Sequence, residues 1–367
     1  MRVMFVATPL IGHLFPMMPL ALRLHALGHR VLVATGGDAV TAVAGDIAVA
    51  DVAPDIGFVR TAVLGLGPHP VAALRCARGM ADARGGARFF APTAKAMLPR
   101  LDRLAAEFAP DLVVHEPFAA EAALVAAHAG VPAVLHNIAL DDGTVMRREM
   151  LRVLGAAAAP PLATLSIAPP SVVAVPGRAL RYTPYATSGA ETPDFLRVPP
   201  DRPRILVTRS TMLGDGPDAM LRSVLRAANG VDADIVIVRP NRKTARAKAL
   251  PANVRTVGWV RPDEVLPTCT AMVNHGGAGS IYAALWAGIP QLATPAPGDR
   301  RWNALTVQRR GAGVAVAARR ITATDLNRLV TDVDMHEAAH AVATEIAAMP
   351  SATATAKRLV ALADHEQ

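Results

Sequence analysis

The run Val273-Asn274-His275-Gly276-Gly277-Ala278-Gly279-Ser280 joins an apolar stretch to a helical one that continues through Leu285 to Gly288. Glycines at such a turn let backbone N–H groups come close to a phosphate. The helix that follows adds partial positive charge and unpaired donors at its first turn. His275 and Ser280 can contribute side-chain donors. The combination suits a diphosphate held without a metal. It is not a P-loop, because no Gly-Lys-Ser/Thr closes it, and it is not the dinucleotide fingerprint. A tight strand-to-helix turn that binds nothing would use the same glycines.

A second group able to do chemistry is His13. It follows Gly12 where the apolar start Met1-Arg2-Val3-Met4-Phe5-Val6-Ala7 gives way to a helical stretch. In a doubly wound domain that turn faces the ligand crevice. The adjacent helix N-terminus disfavours an imidazolium, and a neutral imidazole can take a proton from an acceptor hydroxyl. A capping or packing histidine is the plain alternative. A third candidate, His336-Glu337-Ala338-Ala339-His340, matches the zinc-peptidase pattern of two histidines one turn apart. No third ligand follows it in an extended pattern, and residues 338–348 read as an ordinary Ala-rich helix, so no metal is expected. Cys76 and Cys269 are far apart without ligand spacing and read as free thiols.

Elements that alternate along the chain must position these residues. Short apolar runs at 2–7, 30–35, 111–114 and 132–136 alternate with helical stretches at 12–27 and 119–129. A second cycle has runs at 204–208, 234–238, 253–257, 271–274 and 291–294, with helices at 219–229, from 279 and from 301. This alternation argues for parallel α/β architecture. Prolines crowd the stretch between the cycles, and the linker reads near 190–203. The expectation is two facing doubly wound, Rossmann-like domains, with ligands at the carboxyl ends of the strands. The first spans 1–200 with the connector, the second 201–367, with the last helix packing back on the first.

The chain has 367 residues, enough for two domains, and just over half are apolar. No apolar run reaches the roughly 18 residues of a membrane span, and the N-terminal run is too short for a signal core, so a cytoplasmic protein is expected. The net charge of +8 would suit nucleic acid, a membrane surface or a phosphorylated ligand. The charge is mostly arginine and spread out, with one loose cluster at Arg75, Arg78, Arg84 and Arg88. Aromatics make up only 4%, too few for a base-stacking platform, so nucleic acid is not an expected partner.

The turn His275 to Ser280, with Ala284-Leu285, Gly288-Ile289-Pro290, Pro295, Asp299, Asn303-Ala304 and Gly311-Ala312-Gly313, resembles the donor-site signature of the GT-B glycosyltransferases. More narrowly, it looks like that of the actinobacterial enzymes that decorate antibiotics and other natural products using TDP-sugars. Arg181-Tyr182-Thr183-Pro184-Tyr185, leading to Pro193-Asp194-Phe195-Leu196, looks like that group's inter-domain connector. Residues 1–31, with Gly12-His13-Leu14-Phe15-Pro16 inside them, look like its first strand and helix. The resemblance covers most of the chain. It implies inverting, metal-independent transfer of a sugar, a deoxy sugar being the expectation, onto a small-molecule hydroxyl. The TDP-sugar would be a co-substrate, and no cofactor is implied. A homodimer is left open.

By this resemblance His275 and the backbone at Gly276, Gly277, Ala278, Gly279 and Ser280 hold the diphosphate. Thr208, Ser210 and Thr211 fall where further phosphate donors stand. Trp259 and Val260 fall where the base is held by stacking and backbone hydrogen bonds, and a core-filling tryptophan is the alternative for Trp259. Asp299 and Arg300 fall where sugar hydroxyls are contacted. His13 matches the family's catalytic base, and Glu116, ending Asp111-Leu112-Val113-Val114-His115-Glu116, stands where the family places an acid that orients it. His115 reads as a structural neighbour.

Two positions depart from the family pattern. Ala283 replaces a glutamate that usually holds ribose hydroxyls, which favours TDP over UDP because deoxyribose has one hydroxyl fewer. Arg300 replaces a glutamine, which points to an unusual sugar. The acceptor region, roughly 57–90 and 141–154, holds few aromatics but several Met and Arg, and a polyketide-derived or other apolar aglycone is the expectation. A nucleotide-sugar epimerase or a cell-envelope glycosyltransferase on the same fold is the alternative enzyme. A non-catalytic nucleotide-sugar-binding protein is the alternative of another class; Ala283 and Arg300 favour it, and His13 and His275 oppose it.

Overall fold

The computed structural model describes all residues except 55, 188, 212–217, 248 and 367. The chain divides into two compact units, one made of Met1–Tyr182 with Met349–Gln367, the other of Thr183–Ala348.

The first unit is built on seven strands: β1 (Arg2–Val6), β2 (Arg30–Thr35), β3 (Ala48–Asp51), β4 (Leu112–His115), β5 (Ala133–Asn137), β6 (Ala163–Ser166) and β7 (Arg178–Ala179). All neighbours pair in parallel, in the order β3-β2-β1-β4-β5-β6-β7. Val3, Met4, Phe5 and Val6 of β1 are fully buried, as a parallel strand covered on both faces must be. The chain lays down β1, β2 and β3 toward one edge and then returns to place β4 on the other side of β1. The strand order therefore reverses between β1 and β4, and the carboxyl ends beside such a reversal are where open α/β sheets bind ligands.

Residues 12–27 do not form one helix. A short helix, Ile11–Leu14, runs into a 3-10 turn, Phe15–Met17, and then into helix Met18–Ala26. Pro16 and Pro19 sit at the starts of the latter two segments, where a missing N–H is tolerated. The stretch 57–90 is largely helical, with Phe58–Leu66, Pro70–Ala77 and the start of the 26-residue helix Ala83–Phe108. The last of these is capped by Asp82, whose carboxylate accepts from Gly85 N–H at 2.8 Å. It buries Ala87, Ala91, Ala94, Met97, Leu101 and Ala105 along one stripe. β6 and β7 lie in the proline-rich stretch. The C-terminal helix Ala352–Glu366 packs on helix Met18–Ala26.

The division at Tyr182 falls before the proline-rich linker, because residues 183–200 are anchored on the second unit. Leu196 is fully buried with Val260, Val265 and Leu266. Its carbonyl accepts from Thr268 Oγ1 at 2.9 Å, and the Phe195 carbonyl accepts from the Arg204 guanidinium at 2.9 Å.

The second unit holds six parallel strands: β8 (Arg204–Thr208), β9 (Asp234–Val238), β10 (Val254–Val257), β11 (Ala271–Asn274), β12 (Gln291–Ala293) and β13 (Gly313–Ala315). Their order is β10-β9-β8-β11-β12-β13, so the reversal falls between β8 and β11. Ile205, Val207, Ile235, Ile237, Ala271 and Val273 turn one face of the sheet into a core. Among the described residues no helix is long and apolar enough to cross a membrane. Cys269 is buried and Cys76 partly so.

Candidate active site

The two strands that flank the reversal in the first sheet deliver the two residues of the dyad. His13 follows β1 and Glu116 follows β4. His13 Nδ1 lies 3.2 Å from Glu116 Oε1. Glu116 is fully buried, while the His13 side chain is 16% exposed, so the ring borders solvent and the carboxylate does not. Oε1 of Glu116 also accepts from Thr8 N–H at 3.1 Å, and Oε2 accepts from Phe118 N–H at 2.7 Å. Burial alone would push this carboxyl up; the His13 ring and the two backbone donors outweigh it and hold the group below its ordinary value. An ionised Glu116 accepts the His13 Nδ1 proton, which leaves Nε2 as the nitrogen turned away from the carboxylate. Phe90 and Phe118 hold the ring in place, with centroids 5.3 and 5.0 Å from it.

Around this dyad lie buried titratable groups in other states. The helix Glu121–Ala129 begins five residues after Glu116. Neither Glu121 carboxyl oxygen reaches a hydrogen-bond partner, and burial pushes its pKa up to about 8. Burial likewise brings His115 and His136 down to about 4. His115 Nδ1 is 2.9 Å from the Glu116 carbonyl oxygen, the contact of a structural neighbour.

In the second sheet the reversal delivers the glycine-rich turn after β11 and the residues after β8. Gly276 has φ +81°, and a Cβ there would lie 2.9 Å from the Arg300 carbonyl oxygen. A Cβ on Gly277 would collide with Nε2 of His275. Gly276 is therefore required by the backbone of the turn, and Gly277 by the placement of the His275 ring. Gly279 differs, because a Cβ there would meet nothing within 4 Å. Helix Ala278–Ala287 starts without a side-chain cap beside that open space. His275 Nδ1 is buried without a partner. Burial, and then the Arg300 charge, lower this imidazole to about 3, so it stands as a neutral ring.

Thr208 Oγ1 and Ser280 Oγ are 3.5 Å apart, joining the end of β8 to the start of the helix. Ser210 is buried and accepts from the Arg300 guanidinium at 3.0 Å. Asp299 is exposed, and its Oδ2 accepts from Asn303 Nδ2 at 2.7 Å. Thr211 is exposed. Thr208, Ser210, Arg300 and the residues from His275 to Ser280 thus form one group. Trp259 is 40% exposed, and the Arg239 guanidinium stands 4.1 Å from its ring centroid. The Arg239 carbonyl accepts from Arg209, which also pairs with buried Asp218 at 2.8 Å. The Val260 side chain is in the core, so only its backbone is available to a ligand. His336 and His340 lie on helix Val333–Ala348. His336 Nε2 is 3.0 Å from the Leu329 carbonyl oxygen, and the described residues bring no three metal-ligating side chains together.

The sequence did not point to the amides beneath the turn. Buried Asn274 accepts from Gly276 N–H at 2.8 Å and donates to Gln291 at 2.8 Å. Asn303 donates to the Gly276 carbonyl at 2.9 Å. A polar residue closing an otherwise apolar strand was the available signal for Asn274. Phe90 and Phe118 carried none, because their service to His13 depends on the packing of helix Ala83–Phe108.

Residues 21–210 match the family model described as erythromycin biosynthesis protein CIII-like, N-terminal domain, and residues 222–362 match its C-terminal domain. Elloramycin glycosyltransferase ElmGT of Streptomyces olivaceus is 37% identical, over 98% of this chain and 97% of its own. The crystal structure of the glycosyltransferase SnogD from Streptomyces nogalater matches with a TM-score of 0.84 and 32% identity, covering 99% of this chain and 100% of its own. The spinosyn rhamnosyltransferase SpnG, complexed with thymidine diphosphate, matches with a TM-score of 0.80 and 26% identity, covering 98% of this chain and 100% of its own. These likenesses do not favour an epimerase, a cell-envelope enzyme or a non-catalytic binder. The chain belongs to the erythromycin biosynthesis protein CIII-like family and is a natural-product glycosyltransferase of the GT-B fold.

Proposed function

We propose that this enzyme moves a deoxy sugar from thymidine diphosphate to a hydroxyl of an apolar natural-product aglycone. The transfer inverts the anomeric centre and uses neither a metal nor a further cofactor. The observation that carries the reading is the His13–Glu116 pair at the reversal of the first sheet. With Nδ1 bound to the carboxylate, Nε2 takes the proton of the acceptor hydroxyl as the oxygen attacks the anomeric carbon. The bond from that carbon to the diphosphate breaks, and the electron pair leaves with the diphosphate. Glu116 stabilises the imidazolium that forms. Negative charge grows on the leaving group, where His275, the uncapped helix start and the Arg300 charge can meet it. Attack from the face opposite the leaving group is what inverts the centre.

Support for thymidine comes from Ala283, which puts no carboxylate where ribose hydroxyls would need one, and from the thymidine diphosphate bound by SpnG. Calorimetry with TDP and UDP, with and without magnesium, tests the donor. Tighter binding of TDP without metal is expected; equal affinities or a strict magnesium requirement would sink the donor assignment. Transfer from a panel of TDP-sugars, with the product's anomeric configuration read by NMR, tests the reaction. A retained configuration would exclude direct displacement.

A further inference from the structure

Large apolar side chains are exposed at ten described positions, and five of these fall within residues 63–80: Val63, Leu64, Val71, Leu74 and Met80. The two helices that carry most of them present them in order. On Phe58–Leu66, Arg60, Val63 and Leu64 follow the i, i+3, i+4 spacing of one helix face. On Pro70–Ala77, Val71, Leu74 and Arg75 do the same, with Arg78 one turn further on. The second helix has no buried residue, and Val71 is 71% exposed. So short a helix is marginal by itself and ordinarily depends on a buried apolar face, which this one lacks within its own fold.

Charge is concentrated in the same place. Residues 56–101 contain seven Arg and Lys against a single acid, Asp82, in a chain whose whole net charge is +8. Asp82 caps the next helix and lies 3.5 Å from Arg75. Arg60, Arg78 and Arg84 are exposed; the Arg84 charge, after the hydrogen bond from Arg152, helps lower the Glu149 carboxyl. Apolar side chains edged by guanidiniums, on a segment almost without carboxylates, have the chemistry that an anionic lipid interface recognises. The apolar tips enter the headgroup boundary and the guanidiniums meet phosphates. A protein partner is the weaker fit, because residues 56–101 contain neither Trp nor Tyr, the anchors that dominate such interfaces.

We propose that helices Phe58–Leu66 and Pro70–Ala77 form a peripheral docking face for an anionic membrane surface. The face falls within the stretch 57–90 expected to form the acceptor region, and it includes none of the proposed donor or base residues.

Co-sedimentation of the full chain with phosphatidylcholine vesicles, plain or containing about one-third phosphatidylglycerol, tests this. Binding to the anionic vesicles alone is expected, and it should weaken with salt. Arg75→Glu with Arg78→Glu should lower the affinity on the order of tenfold or more, and Val71→Ser with Leu74→Ser about tenfold. Both pairs should stay folded by circular dichroism, because the four side chains are exposed. The proposal is overturned if anionic vesicles leave the protein in the supernatant, or if both pairs bind like the parent. It is equally overturned if sedimentation velocity shows self-association that these variants abolish while vesicles bind nothing, since a second copy would then be the occupant.

Discussion

Glu116→Gln changes one oxygen to an amide nitrogen in a pocket where the carboxylate receives three donors. Thr8 N–H and His13 Nδ1 share Oε1, and Phe118 N–H takes Oε2. Glutamine can place its single oxygen at either site. At the Oε2 site it would face its own amide toward both Thr8 N–H and His13, losing two bonds. At the Oε1 site it keeps those two and loses only Phe118 N–H, so this orientation should prevail. An unpaired buried N–H costs about 1–3 kcal/mol, which is the expected loss of stability. The histidine keeps its working tautomer, but its partner is now neutral. A bond to a charged group is worth roughly 1 to 1.5 kcal/mol more than a neutral one, so the imidazolium formed during transfer loses about that much. The rate should fall roughly tenfold. The assay is kcat with an aliphatic acceptor, beside TDP affinity and thermal melting. A loss as large as that of His13→Ala, with melting unchanged, would refute the reasoning, because the carboxylate would then be doing more than orienting and stabilising. A loss under about twofold would remove Glu116 from the mechanism.

The other predictions concern three more residues. His13→Ala should lower transfer by roughly 10²–10⁴, with partial recovery at high pH where hydroxide replaces the base and little change in TDP affinity. A parallel loss of TDP affinity, or full activity on an aliphatic acceptor, would count against it, whereas a phenolic acceptor could mask the effect. His275→Ala should cost on the order of 10² in rate in a folded protein. Near-normal turnover would move the diphosphate elsewhere, and an unfolded variant would make the ring structural. Glu121 has a folded pKa near 8, above its ordinary 4.5. Its stabilising share is therefore whole below pH 4.5 and is lost as pH rises toward 8, an amount on the order of 3 kcal/mol by pH 7. Glu121→Gln should flatten the decline of melting temperature across that window, and an unchanged slope would show that Glu121 ionises freely.

The sequence made the chemistry easier to find than the scaffold around it. His13 and His275 stand out because each follows an apolar run at a turn with glycine, and a parallel strand leaves its functional residues at that end. β3, β6 and β7 were missed because Ala48–Asp51, Ala163–Ser166 and Arg178–Ala179 are short and lie at or toward the sheet's edges, with weak apolar contrast. Helix Ala83–Phe108 carries Pro92 and Pro99 inside it, which mask its period, and its buried stripe is mostly alanine. Residues 190–203 read as a linker because of their prolines. Their attachment runs through Arg204 and also through Thr268, which lies too far along the chain from Leu196 for local pattern to reveal. The amide pairs Asn274–Gln291 and Asn303–Gly276 are hidden for the same reason.

Glu116 and Glu121 are five residues apart, equally buried and of the same type, yet burial and donors shift them in opposite directions, the first down and the second up. The difference lies in donors: Glu116 has two backbone N–H groups and the His13 ring, and Glu121 has no partner for either oxygen. Burial penalises both charges, and only the first is compensated. The consequence reaches the proposed chemistry, because the two carboxyls are close enough for the Glu116 charge to raise Glu121. By the same interaction an ionised Glu121 would add a second negative charge beside the dyad. That charge would favour the imidazolium before any acceptor had reacted and leave less of the ring free to take a proton. With Glu121 neutral, the protonated histidine and Glu116 balance to zero, and a buried pair of zero net charge is the state that proton transfer from the acceptor must create. Substituting Glu121 by a residue that cannot ionise should therefore leave the dyad's balance intact, whereas giving Glu121 a hydrogen-bond donor would disturb it from a distance.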